Sequence, residues 1–306
     1  MQLLTKLSTS DVFDINKVLS YMIEENASDL NLTTDLDIAL RINGDIVKTN
    51  IKPTQTLLNN YVDKLTFSAG KKIDIYRNES VDGSYTFVYK NEKYFFRYNI
   101  VLSNNRIHIT IRKLINSIPA FEDIQIRTEK ELKFVEKINN NQNGLYLLVG
   151  ATGSGKTTTI VTILDHVLKN NKIKTISLEQ PIEYYFDNES YKDSLIIQRE
   201  IGRDTKSFYS GLVEAMRQNP DIIFVGEIRD QETANAALNA ALTGHVVIAT
   251  LHAKSIEKTR ERFKYLLDGV TNDFDFIQGI IYQKLAKNTK GMLEAVRDVY
   301  INEETN

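Results

Sequence analysis

The sequence predicts an α/β chain in two parts: an α+β domain, then a domain built on a mainly parallel sheet. Three observations carry this expectation. Residues Gly150-Ala151-Thr152-Gly153-Ser154-Gly155-Lys156-Thr157 fit G-x-x-x-x-G-K-[ST], the P-loop. From about residue 120 onward, short apolar runs alternate with stretches of helical periodicity, as in parallel strands joined by helices. Before residue 114 the pattern is amphipathic helices and strand runs separated by hairpin-type turns.

The first part is drawn at residues 1–114. Asp11 is expected to cap a helix on which Ile15, Val18, Leu19, Met22 and Ile23 recur at helical spacing. Leu30 and Leu32, then Ile38, Leu40 and Ile42, alternate with polar residues as strands do, and Asn43-Gly44 is a hairpin turn. Leu57, Leu58, Tyr61, Val62 and Leu65 mark a second helix after Pro53. Three strand runs follow, Ser84–Tyr89, Lys93–Leu102 and Arg106–Leu114. In the last two, core alternation turns Arg97 and Arg112 away from the apolar face, and a hairpin loop at Ser103–Arg106 sets them opposite each other. Like charges so placed repel. The pair is either solvated or neutralised by an anion such as a phosphate.

Asn116-Ser117-Ile118-Pro119 interrupts the pattern, so a linker is drawn at 115–123 and the second domain at 124–306. A helix with Leu132, Phe134, Val135 and Ile138 precedes the buried strand Leu145–Val149. The P-loop glycines let consecutive N–H groups face one anion, and the helix over Thr158–Leu168 adds its N-terminal dipole. Lys156 is placed to reach the phosphates and Thr157 to offer a hydroxyl to Mg²⁺; Gly150 to Thr158 form the nucleotide-binding stretch. Strand Lys174–Leu178 leads into Glu179-Gln180-Pro181-Ile182-Glu183, at the end of a strand where parallel sheets bind ligands. Glu183 either orients or deprotonates an attacking water or is a solvated loop acid. Asp221–Val225 is a strand tipped by Gly226-Glu227, a Walker B-like element with glycine where aspartate is common. Glu227 either joins the γ-phosphate and Mg²⁺ shell or is a structural acid paired with Arg229. Helix Gln231–Leu242 ends at Thr243-Gly244. Strand Val246–Leu251 lies between His245 and His252, and His252 either hydrogen-bonds a γ-phosphate or serves structure alone. An exposed helix is expected near Glu257–Leu267, another helix near Phe274–Leu285, and a last strand at Leu293–Ile301.

Composition narrows the function classes. At 306 residues, 42% hydrophobic and 25% charged, the chain is an ordinary globular protein of about two domains. With 38 basic and 40 acidic residues, its net charge of −2 gives no general pull toward nucleic acid or anionic membrane. It has no cysteine, hence no disulfide framework, thiolate zinc site or thiol catalysis. No apolar run approaches the roughly 20 residues that span a bilayer, and no signal peptide is expected at Met1–Ser10.

Taken in this order, the motifs resemble the hexameric secretion ATPases, above all the PilT-type retraction motors of type IV pili and the DotB-type ATPases of type IVB secretion. Ala27-Ser28-Asp29-Leu30 and Arg41-Ile42-Asn43-Gly44-Asp45 resemble the N-terminal signature of that family, Glu179–Glu183 its Asp box and Gly226-Glu227-Ile228-Arg229-Asp230 its Walker B. Thr243-Gly244-His245 and Thr250-Leu251-His252 resemble its His box. The resemblance implies a PAS-like N-terminal domain and a RecA-like ATPase domain. It also implies a homohexamer that hydrolyses ATP with Mg²⁺ to power pilus retraction. The implied partner is an inner-membrane platform protein at the cytoplasmic face of the membrane, with no nucleic acid. A DotB-like secretion ATPase, or a RecA-like nucleic-acid translocase, is the alternative. By resemblance Glu183, Glu227 and Lys156 are catalytic. Arg97 and Arg112 reach nucleotide phosphates, and His245 and His252 belong to the nucleotide site. The chain departs from the family pattern at Gln180, where the box has its aspartate, and at Asn31, where a histidine is usual. Neither the helical C-terminal region of retraction motors nor the extra N-terminal domain and tetracysteine site of extension motors is expected.

Overall fold

The computed structural model describes residues 14–67, 70–114, 117–268, 274–287 and 293–303. The chain divides into two compact units, Met1–Asn116 with Pro181–Glu183, and Ser117–Gln180 with Tyr184–Asn306.

The first unit begins with helix α1 (Ile15–Glu24). Asp14 caps it, its carboxylate accepting from the Asn16 N–H at 3.0 Å; Asp11, the expected cap, lies outside the described residues. Strands β1 (Asp29–Thr33), β2 (Ala39–Ile42) and β3 (Asp45–Lys48) follow, then helices α2 (Gln55–Thr66) and α3 (Lys71–Tyr76), then β4 (Val81–Tyr89), β5 (Glu92–Ser103) and β6 (Arg106–Lys113). The strands form one sheet in the order β3-β2-β1-β6-β5-β4, antiparallel at every pairing. The three tight hairpins each turn on two residues with positive φ: Asn43-Gly44 (51° and 93°), Lys90-Asn91 (50° and 67°) and Asn104-Asn105 (50° and 59°). Such turns match the twist of the strands they join. The last of them pairs Ser103 with Arg106 and so sets Arg97 opposite Arg112, as alternation predicts.

What alternation did not supply is the neighbour on the other side. β1 lies beside β6 with Asp29 in register with Arg112. The Asp29 carboxylate accepts from Arg112 Nε at 2.7 Å and from the Ser28 hydroxyl at 2.8 Å, with Arg41 Nε at 3.8 Å. The charge that relieves the Arg97–Arg112 repulsion is therefore a carboxylate of the chain itself.

The second unit contains α4 (Glu129–Asn139), β7 (Gly144–Val149), α5 (Lys156–Asn170), β8 (Lys174–Glu179), β9 (Leu195–Glu200), α6 (Phe208–Ala215), β10 (Ile222–Val225), α7 (Gln231–Leu242), β11 (Val246–Leu251), α8 (Ile256–Leu266), β12 (Ile277–Lys287) and β13 (Leu293–Ile301). The sheet order is β13-β12-β7-β11-β10-β8-β9, parallel except where β13 meets β12. Period-two alternation along β7 explains the layers. Leu145, Leu147 and Val149 pack with residues of α6, α7 and α8, whereas Tyr146 and Leu148 pack with residues of α4 and α5. The sheet is thus covered on both faces, and every residue of β7 is buried.

Three expectations are corrected, and two elements were missed. The segment expected as a helix near Phe274–Leu285 is strand β12, between β7 and β13. Its residues Ile277–Ile281 are buried on both faces, and a two-sided strand has the same apolar spacing as a buried helix. Leu132 is 49% exposed, and the buried stripe of α4 is Glu131, Phe134, Val135 and Ile138. The α8 helix, expected as exposed, buries Ile256, Thr259, Phe263 and Leu266. Strand β9 and helix α6 were not foreseen. α6 carries Gly211 mid-helix, a residue that weakens a helical pattern; a Cβ there would lie 2.8 Å from Leu178 Cδ2, so the glycine lets α6 pack against β8.

Among the described residues no helix is long and apolar enough to cross a membrane. Phe134 is fully buried and meets Tyr146 edge-on at 5.5 Å between ring centroids. Phe134→Ala is expected to destabilise the second unit by about 3–5 kcal/mol, measured by guanidinium unfolding. A loss below about 1 kcal/mol would mean α4 does not pack as described.

Candidate nucleotide site

In a parallel sheet the C-terminal ends of adjacent strands share one edge, and ligands bind there. β7, β11, β10 and β8 are consecutive neighbours. Their C-terminal ends carry the P-loop, His252, Gly226-Glu227 and Glu179-Gln180. Motifs spread over a hundred residues come together because of strand order.

The P-loop itself bends through left-handed and extended backbone at Gly150 (φ 154°), Gly153 (75°) and Gly155 (82°). A Cβ on Gly150 would lie 2.2 Å from the Gln283 carbonyl oxygen, so only glycine fits against β12. Around Gly153 a Cβ would meet nothing within 4 Å, which marks the open side of the loop. The first-turn N–H groups of α5 face this region without intrahelical partners, the usual basis of anion binding. Lys156 opens α5 and is 8% exposed. Its ammonium donates to the Gly150 carbonyl at 3.0 Å and the Ala151 carbonyl at 2.8 Å. Thr157 is half-buried beside it, and the Thr158 hydroxyl lies 2.9 Å from that of Tyr184. Ala151 and Thr152 are exposed, while Ser154 is buried and hands its backbone carbonyl to Gln283.

Glu227 and His252 join the P-loop to the end of β10. One Glu227 oxygen takes Arg229 at 2.6–2.7 Å, and this hydrogen bond raises the Arg229 pKa further. The other oxygen lies 3.1 Å from His252 Nε2. His252 Nδ1 lies 3.1 Å from the Gly150 carbonyl. The His252 ring thus bridges the Glu227 carboxylate and the Gly150 carbonyl. Gly226 stands where aspartate is common because β10 is drawn close to β8. Its N–H donates to the Leu178 carbonyl at 2.7 Å, and a Cβ would lie 3.0 Å from that same oxygen and 3.3 Å from Glu179 Cα. The Thr250 hydroxyl donates to the Gly226 carbonyl from the other side.

The remaining candidates are placed as follows. Glu179 is 2% exposed and accepts from Ser177 Oγ at 2.7 Å and Gln198 Nε2 at 3.1 Å, which ties it into the sheet. Glu183 is half-buried and directly precedes Tyr184. His245 is not brought to the P-loop. It precedes β11 and His252 follows it, and a strand of this length spans about 20 Å. His245 Nδ1 faces the Ala240 carbonyl at 3.1 Å. Arg97 and Arg112 lie on β5 and β6 of the first unit. Sequence reasoning missed Tyr184 and Gln283. Gln283 is 1% exposed and donates to the Ser154 carbonyl at 2.7 Å across 129 residues of chain. No local pattern signals such a contact.

Among the described residues no three His, Asp or Glu side chains cluster as a metal cage. The donors on this edge, the Thr157 hydroxyl and the Glu227 carboxylate, fit a magnesium ion that takes most of its ligands from phosphate and water.

Gly226→Ala tests the fit between β10 and β8. Overpacking at this backbone contact is expected to cost about 1–3 kcal/mol in chemical unfolding. A neutral substitution would show that the aspartate-less motif has no steric origin.

The comparisons with known proteins agree along nearly the whole chain. The model of the type II/IV secretion system protein family matches residues 9–300. The chain is 29% identical over 296 residues to the type IV pilus retraction ATPase PilT of Pseudomonas aeruginosa, covering 94% of this chain and 82% of that protein. Among solved structures, the ATPase DotB of Legionella pneumophila superposes with a TM-score of 0.87 at 28% identity, covering 95% of this chain and 81% of that one. The pilus retraction motor PilT with bound ADP superposes with a TM-score of 0.77 at 32% identity, covering 94% of this chain and 83% of that one. With its P-loop, Glu227 of the Walker B-like element and His252 on one sheet edge, the chain belongs to the type II/IV secretion system protein family.

Proposed function

We propose that the chain is a Mg²⁺-dependent ATPase that works as a homohexameric motor and powers retraction of a type IV pilus. The observation that carries this reading is the convergence of Lys156, Glu227 and His252 on one P-loop, held together through the Gly150 carbonyl. Phosphoryl transfer asks for positioning and charge neutralisation more than covalent chemistry. Lys156 and the α5 N-terminus neutralise the phosphates, Thr157 and Glu227 face the metal, and Glu183 positions water. A magnesium ion held by Thr157 and Glu227 would offset the negative charge of the phosphates. His252 gives the site a two-state element. A γ-phosphate that hydrogen-bonds the His252 ring competes with Glu227, and loss of that phosphate lets the Glu227 pair re-form. Arg97 and Arg112 of one copy complete the site of another, which couples turnover to ring motion. His245 serves the ring rather than its own P-loop in this reading.

The retraction reading draws support from the likeness to PilT along the chain. A second reading, the ATPase of a type IVB secretion machine, is favoured by the higher structural agreement with DotB. Either way the partner is an inner-membrane platform protein at the cytoplasmic face. The net charge of −2 supports a motor that does not track nucleic acid.

ATP hydrolysis measured against protein concentration, with native mass readout, tests the ring. Turnover is expected to rise as hexamers form, and Arg112→Ala to assemble yet hydrolyse poorly. Full activity of a monomer, indifferent to Arg112, would sink the ring mechanism. Glu227→Gln is expected to keep ATP binding and lose about 100-fold in turnover; unchanged turnover would remove Glu227 from the chemistry. Deleting the gene in its host separates the two machines: surplus, non-retracting pili support the first reading, and loss of substrate export with normal pili supports the second.

A further inference from the structure

We infer that Gln283, backed by Arg297 and Glu131, is a positioning residue that holds the P-loop in its phosphate-accepting shape. This rests on the nucleotide reading above and goes beyond it, since none of the three residues belongs to a P-loop, Walker B or His-box motif.

β12 and β13 pair with Gln283 directly opposite Arg297. Both polar ends of the Gln283 amide are engaged. Nε2 donates to the Ser154 carbonyl at 2.7 Å; Oε1 accepts from Arg297 Nε at 2.8 Å and from the Thr159 hydroxyl at 2.9 Å. Two donors on one side and a carbonyl on the other admit only this orientation of the amide. Arg297 is held just as firmly. Its side chain is 3% exposed, and it donates to Glu131 Oε1 at 3.2 Å and to the Ile124 carbonyl at 2.8 Å. Glu131 in turn accepts the N–H groups of Thr128 at 2.8 Å and Arg127 at 3.1 Å at the start of α4. Burial pushes the Glu131 carboxyl up, but these hydrogen bonds and Arg297 outweigh it and hold the carboxyl below its ordinary range. The buried arginine is therefore paired, as a buried charge must be.

The consequence for the loop follows from peptide planarity. The Ser154 carbonyl and the Gly155 N–H belong to one trans peptide and point in opposite directions. Fixing that carbonyl toward Gln283 turns the Gly155 N–H away from β12, to the side on which the loop accepts an anion. Among the described residues, Lys156 and His252 also tie P-loop carbonyls, and the phosphates claim both of them as well. Gln283 is the tie that nucleotide binding does not consume. Its backbone carbonyl also forms the wall against which Gly150 fits, so one residue braces both ends of the loop.

Gln283→Glu isolates the hydrogen bond to Ser154. The new carboxylate still accepts from Arg297 and Thr159, but it sets an oxygen against the Ser154 carbonyl. The expected result is a melting temperature close to wild type, with affinity for a fluorescent ADP analogue and kcat/KM for ATP each lower by about tenfold. The loss should shrink as pH is lowered, because a protonated carboxyl regains an O–H donor toward Ser154; a merely structural lesion would not recover. Should this variant fail to fold, Gln283→Met removes the polar atoms at similar volume and is expected to weaken ADP in the same direction. Equal ADP affinity in wild type and a folded variant overturns the positioning role alone. Wild-type protein that binds no ADP overturns the ATPase reading, and the positioning role falls with it.

Discussion

The second unit depends on one constraint: consecutive backbone N–H groups of the P-loop must face a single anion. A backbone does so only by passing through conformations that side chains disfavour, hence the positive φ at Gly150, Gly153 and Gly155. It must also be kept from relaxing. Lys156, His252 and Gln283 each hold a carbonyl of the loop, at Gly150, Ala151 or Ser154. Those three side chains come from α5, the end of β11 and the middle of β12. The shape of a short loop is thus a property of the whole sheet.

The sheet has its own close fits. Gly226 lets β10 approach β8, and a Cβ on Gly279 would lie 2.5 Å from Phe134 Cδ2, which shows how closely α4 rests on β12. Both are places where a glycine answers to a neighbour rather than to a turn. The Walker B motif here lacks its aspartate for this reason, and Glu227 carries the only carboxylate at the tip of β10 among the described residues.

Much of this was open to inspection in the sequence. The P-loop spacing, the α7 and β11 boundaries and the hairpin register of Arg97 with Arg112 follow from local rules and match the structure. The departures share one cause. Asp29 neutralises Arg112 across a strand pair that alternation does not reveal. β12 reads as a helix because a strand buried on both faces loses its period of two. Gln283 was invisible for the same reason, since its role depends on strand placement. His245 and His252 look equivalent in sequence, yet β11 carries them to opposite ends of the sheet.

The sequence by itself determined the chemistry available: a phosphate loop, acids at strand tips, no thiols and a nearly neutral charge. These are properties of residue type and short spacing, which act over a few bonds. Only the tertiary structure decided which groups meet. The strand order β12-β7-β11-β10-β8 brings Gln283, the P-loop, His252 and Glu227 together, because hydrogen bonding between strands joins residues that the chain keeps far apart.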